Sequence, residues 1–173
     1  MGFDPTNLQI AAWNPITWDA IDLGGSEEPD FGGCELKLAP LKIASCGDIE
    51  LDDIVVGLKD GAILTVTLVE VTLATVKKMM PWYTAGTQVE GIPAAGTRLY
   101  QYAKPLVFHP SHLAVATVTE NFNVRKAVPL GAVQIKRNGK DTNAVAVKFR
   151  MYPDRTKLGT GLAAYFYFGA AEA

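Results

Sequence analysis

Histidine, cysteine and serine are almost missing from this chain: two, two and three residues in 173. Their scarcity removes most routes to catalysis. A Ser/His/Asp relay would have to be assembled from Ser45 or Ser111, His109 or His112, and Asp154, with no G-x-S-x-G elbow to present the nucleophile. The only histidine pair, His109 and His112, brackets Pro110, which forces a turn. No cysteine or carboxylate lies nearby to complete a metal site, so the segment is expected to be a loop between strands. Cys34 and Cys46 lack C-x-x-C spacing and could form one disulfide at most. The N-terminus has no basic region followed by an apolar one, so no secretory signal is expected and both thiols are expected to be free. No apolar run approaches the roughly 20 residues of a membrane helix. Neither G-x-G-x-x-G nor G-x-x-x-x-G-K-[ST] occurs. The acidic run Asp48, Glu50, Asp52 and Asp53 lacks the Gly and Glu positions of a calcium loop. The expectation is a chain that is not an enzyme, with no catalytic, cofactor-binding or metal residues.

What the chain does contain is β-forming sequence. At 49% hydrophobic residues and a mean hydropathy of +0.12, it can bury a core as one domain over 1–173. Residues 1–33 are broken by Gly and Pro and read as an extended arm with one or two short strands. Trp13 and Trp18 are apolar for so irregular a stretch; they dock on the same subunit or on a neighbour. Residues 34–44 alternate, with Pro40 suiting an edge or a bulge. Residues 62–71 are the clearest strand, with Leu64, Val66 and Leu68 on one face. Thr72 then caps a short helix over 73–80, which Pro81 ends. Residues 83–97 form a long small-residue loop. Further strands are expected at 98–108, 113–119, 122–128 and 162–169.

The stretch 126–154 reads as a β-hairpin. Val133 and Ile135 alternate going in; Val145, Val147, Phe149 and Met151 alternate coming out; Asn138-Gly139 supplies the turn. Its cations Lys136, Arg137, Lys148 and Arg150 make it basic, without the aromatic interleaving of a nucleic-acid surface. Charge is polarised along the chain. Residues 1–60 carry 12 acidic and 3 basic side chains, whereas 121–173 carry 3 acidic and 9 basic. Either the fold interleaves these segments or one face is acidic and another basic. In the second case identical molecules attract head to tail, the geometry that builds rings and filaments. Asp48, Glu50 and Asp52 fall on one strand face. They line a wet acidic surface, or they meet the basic hairpin, with Lys136, Arg137, Lys148 and Arg150, of an adjacent subunit.

The lead-in Lys126-Ala127-Val128-Pro129, the hairpin and the exit Tyr152-Pro153-Asp154, together with a strand that turns into a short helix ending at Pro81-Trp82, resemble phage tail tube proteins over roughly 24–169. The inner tube proteins of contractile injection systems share that pattern. The resemblance implies a mainly β fold, a β-sandwich or half-barrel with one short packed α-helix. It also implies assembly through ring-shaped β-barrels, in stacked hexameric rings, into a conduit for the genome. The implied partners are copies of itself, other tail proteins, and DNA passing without sequence-specific binding; no membrane and no cofactor enter. The implied place is the virion tail, assembled in the cytoplasm of the bacterial host. Asp48, Glu50 and Asp52 would line the lumen, while Lys136, Arg137, Lys148, Arg150, Trp13 and Trp18 would meet neighbouring subunits. A tail completion protein on the same fold, or a β-sandwich enzyme or binding module, are the alternative readings.

Overall fold

The computed structural model describes residues 12–26, 36–43, 49–58, 62–69, 75, 77, 79–80, 94–130, 134–136, 144–160 and 162–170. The fold is mainly β, a curled antiparallel half-barrel with almost no helix, as the alternating sequence implied. Its strands are β1 (Trp13–Trp18), β2 (Ile21–Asp22), β3 (Leu36–Ile43), β4 (Ile49–Leu58), β5 (Ile63–Val69), β6 (Lys104–Pro110), β7 (Phe122–Pro129), β8 (Gln134–Lys136), β9 (Ala144–Tyr152) and β10 (Phe166–Phe168). Eight of them form one sheet in the order β2-β1-β6-β7-β9-β5. β10 lies beside β7, and β8 beside β9. β3 and β4 make a separate two-stranded sheet.

Alternation explains why these segments are strands. On β9, Val145, Val147, Phe149 and Met151 are buried while Lys148 and Arg150 are exposed. On its neighbour β5, Leu64, Val66 and Leu68 are buried and Ile63 is exposed. Two aromatic rows cross the sheet on the same side. One runs Ile16, Phe108, Phe122, Phe168; the other runs Trp18, Leu106, Val124, Phe166. Phe108 packs edge-on against Trp13, with ring centres 6.0 Å apart, and tilts against Phe122 at 5.7 Å. The hairpin expected over 126–154 is present as β7 and β8 against β9, with Leu130 N–H donating to the Lys148 carbonyl between the two pairings. Its turn at Asn138-Gly139 lies outside the described residues.

β1 and β2 are joined at Asp19-Ala20, both in the left-handed region at φ 51° and 61°, as a two-residue hairpin turn requires. The N-terminal segment is therefore partly a strand pair built into the sheet. Pro40 sits at a register shift of the β3–β4 ladder, where a residue without an N–H costs least.

Three sequence expectations need correction. Residues 113–119 are turns, closed by bonds such as Thr117 N–H to the Ala114 carbonyl. Their apolar alternation has no sheet face to bury, and Val115 remains 70% exposed. Residues 99–102, expected to start a strand, form a 3-10 turn, Leu99–Tyr102. The last strand is only Phe166–Phe168, because 155–160 turn away first. Of the helix expected over 73–80, one turn is described: Met79 N–H donates to the Thr75 carbonyl, and Met79 and Met80 enter the core. Most of the loop at 83–97 lies outside the described residues.

After β9 the chain is held by a local clasp. The Asp154 carboxylate accepts from the Thr156 N–H at 3.0 Å and from the Thr156 hydroxyl at 2.9 Å. These two bonds, the first the larger, hold its pKa below the usual carboxylate value, with Lys126 and Arg125 adding to the effect against a small desolvation cost. A depressed folded pKa stabilises the fold above the unfolded value, near 3.9, and that stability is lost as pH falls from there through the lower folded pKa. Asp154→Asn is expected to flatten the acid side of the stability curve below about pH 5. Urea unfolding midpoints across that range would measure it, and parallel curves for the two proteins would contradict it.

Candidate assembly surface

Among the described residues, β5 and β10 each leave one edge unpaired. Met151 N–H donates to the Ala62 carbonyl, which sets the hydrogen-bond phase between β9 and β5. The even-numbered residues of β5 therefore bond to β9. The N–H and C=O groups of Ile63, Thr65, Thr67 and Val69 face the other way, and no strand among the described residues pairs with them. This edge is seven residues long and carries no charge, proline or bulge, the usual devices that keep an edge from templating another strand. β10 repeats the situation on a smaller scale. Arg125 N–H donates to the Tyr165 carbonyl and Gly169 N–H to the Asn121 carbonyl, so the backbone groups of Phe166 and Phe168 face outward. Phe168, the end of the first aromatic row, is 69% exposed there.

The side of the sheet away from the core is basic. Lys148 and Arg150 are exposed on β9, and Lys126 on β7 pairs in register with Tyr152. Aromatic rings are interleaved with these cations, contrary to the sequence reading. The Arg150 guanidinium lies over the Tyr152 ring at 5.8 Å, Tyr152 meets Tyr100 edge to face at 5.7 Å, and Arg155 lies over Tyr100 at 4.5 Å. On β7, Arg125 stacks over Tyr167 at 4.6 Å while its Nε–H donates to the Ala163 carbonyl at 2.6 Å. Tyr100 and Arg155 were not singled out in the sequence. Only the shared parity of Arg150 and Tyr152 on one strand signalled part of this arrangement.

The other expected site residues are dispersed. Glu50 and Asp52 lie on β4, at register positions opposite Lys42 and Pro40 and on one face of the hairpin. Asp48 and Arg137 lie outside the described residues, and Lys136 is placed only by its backbone, on β8 opposite Ala144. Trp18 fills the core of its own chain at 2% exposure, its indole N–H donating to the Ala127 carbonyl at 3.0 Å, so it offers nothing to a neighbour. Trp13 is half-buried against the same core.

The residues considered for catalysis have other partners. His109 is buried at the end of β6, a strand position where a loop was expected. Its ring nitrogens pair with the Asn121 side-chain amide at 2.8 Å and the Leu113 carbonyl at 3.3 Å. His112 lies 3.8 Å from Glu120, and Asp154 is engaged by Thr156. Among the described residues no three His, Cys, Asp or Glu side chains converge as a metal site. A cleft of about 580 Å³ between Trp13, Gly25 and Ser111 has no imidazole, thiol or amine among its described lining residues. Comparison of the chain with protein-family models, curated proteins and solved structures finds no match.

Proposed function

We propose that this chain is a structural subunit that assembles with copies of itself into rings and tubes, with no catalytic activity. The observation that carries the reading is the β5 edge: seven residues of apolar and threonine sequence whose outward backbone groups have no partner among the described residues. Such an edge in a well-packed sheet is a template for a strand of another chain. The charge polarity of the sequence supports head-to-tail contacts between copies. The resemblance to phage tail tube proteins, in the hairpin at 126–154 and its flanks, narrows the proposal to the tube of a phage tail. It would be a conduit for DNA held in the virion with other tail proteins, or the related inner tube of a contractile system. Sedimentation at concentrations on the order of tens of micromolar, where mass action favours assembly, is expected to show species far above 18.6 kDa. Negative-stain microscopy is expected to show rings or tubes. A chain that stays monomeric at every salt concentration would sink the reading.

A further inference from the structure

The two exposed arginines of the ring ladder have a property that charge alone does not explain. Arg150 and Arg155 are held over Tyr152 and Tyr100, yet neither guanidinium makes a hydrogen bond or an ion pair with any described residue. A guanidinium stacked on a ring keeps its five N–H donors in its own plane, free for a planar acceptor. Stacking also fixes its direction, so less rotamer entropy is lost when an anion binds. Each ring that carries an arginine gives that face to it, and the two rings meet each other edge to face. The ladder therefore offers guanidinium forks to oxyanions.

We infer that the Arg150–Tyr152–Tyr100–Arg155 ladder is a docking surface for carboxylates of a second copy of this chain, supplied by Glu50 and Asp52 of its β3–β4 hairpin. The inference rests on the assembly reading above and names the contact within it. Three observations favour this occupant. The acidic residues are concentrated in 1–60, where they outnumber the basic ones 12 to 3. The β3–β4 register puts positions 50 and 52 on the same face. Among the described residues the hairpin pairs with no strand of the eight-stranded sheet, and a two-stranded ribbon is marginal in water without something to pack on. Carboxylates and guanidinium forks match in geometry, and bidentate pairs fix register as well as attract.

The test is sedimentation of the full chain at low and high salt, about 0.05 M and about 0.5 M, which straddle the range where screening sets in. Arg150→Gln with Arg155→Gln is expected to raise the concentration needed for assembly about tenfold or more at low salt, with an unchanged circular dichroism spectrum. Arg150→Lys with Arg155→Lys, which keeps the charge and loses the fork, is expected to recover little of it. The charge-swapped chain carrying Glu50→Arg, Asp52→Arg, Arg150→Glu and Arg155→Glu is expected to assemble again, because both sides of every contact are reversed. Normal assembly of the double Gln variant would overturn the inference and leave the assembly reading standing. Full recovery by lysine, or no recovery in the charge-swapped chain, would likewise overturn it. Binding of a labelled single-stranded oligonucleotide to the native chain, lost in the double Gln variant, would assign the ladder to nucleic acid instead. A native chain monomeric throughout would overturn both proposals.

Discussion

Thr67→Pro is expected to leave the subunit folded and to abolish its assembly. Thr67 lies in the middle of β5 opposite Ala146, and its N–H faces away from β9, so proline there removes no hydrogen bond of the described sheet. The ring restricts φ but is tolerated on an edge strand, and the Thr67 side chain is only half-buried. The same change takes a donor from the middle of the free edge and puts bulk where another strand would approach. Sedimentation should therefore report a monomer under conditions that assemble the native chain, while the thermal transition keeps its shape. Val66→Pro is the contrasting variant: Val66 bonds to β9 and is fully buried, so proline there should unfold the sheet. Tubes formed by Thr67→Pro at native concentrations would show that β5 is not an assembly edge.

The largest effect on folding is expected from Phe108→Ala, about 3–5 kcal/mol. Phe108 is fully buried in the first aromatic row and touches the rings of Trp13 and Phe122. Truncation removes the transfer free energy of the ring and leaves a cavity that rigid neighbours on β1 and β7 cannot close. Against a typical domain stability of about 5–15 kcal/mol, that is roughly a fifth of the total at the least. Guanidinium unfolding, run on the Thr67→Pro background so that assembly does not contribute, should shift its midpoint with an unchanged slope. A shift worth less than about 1 kcal/mol would mean that the site collapses around the smaller residue.

The parts of this fold that could be read from the sequence are those where one strand face is dry and the other wet. β9 and β5 declare themselves because Val145, Val147 and Phe149, like Leu64, Val66 and Leu68, alternate with polar or exposed neighbours. Pro40 marked the irregular β3–β4 ladder for a backbone reason. Residues 113–119 misled because alternation states what a strand would need, and says nothing about whether a sheet is there to receive it. Tyr100 and Tyr152 lie in segments far apart in sequence, and their meeting depends on the route of the chain from the 3-10 turn into β6. Trp18 reads as a surface anchor in a Gly- and Pro-rich segment; only the row that continues through Leu106 and Val124 to Phe166 makes it a core residue.

The indole of Trp18 closes on Ala127, 109 positions further along the chain. During synthesis the first strand is thus finished long before anything exists for it to lie on. β6 is made roughly ninety residues later and β7 later still. Until then Ile16 and Trp18 stand uncovered on a two-stranded ribbon that cannot hold itself together. Long-range pairing of this kind delays folding and lengthens the exposure of sticky surface. β5 is secured later still, because its one described neighbour, β9, is not finished until Tyr152.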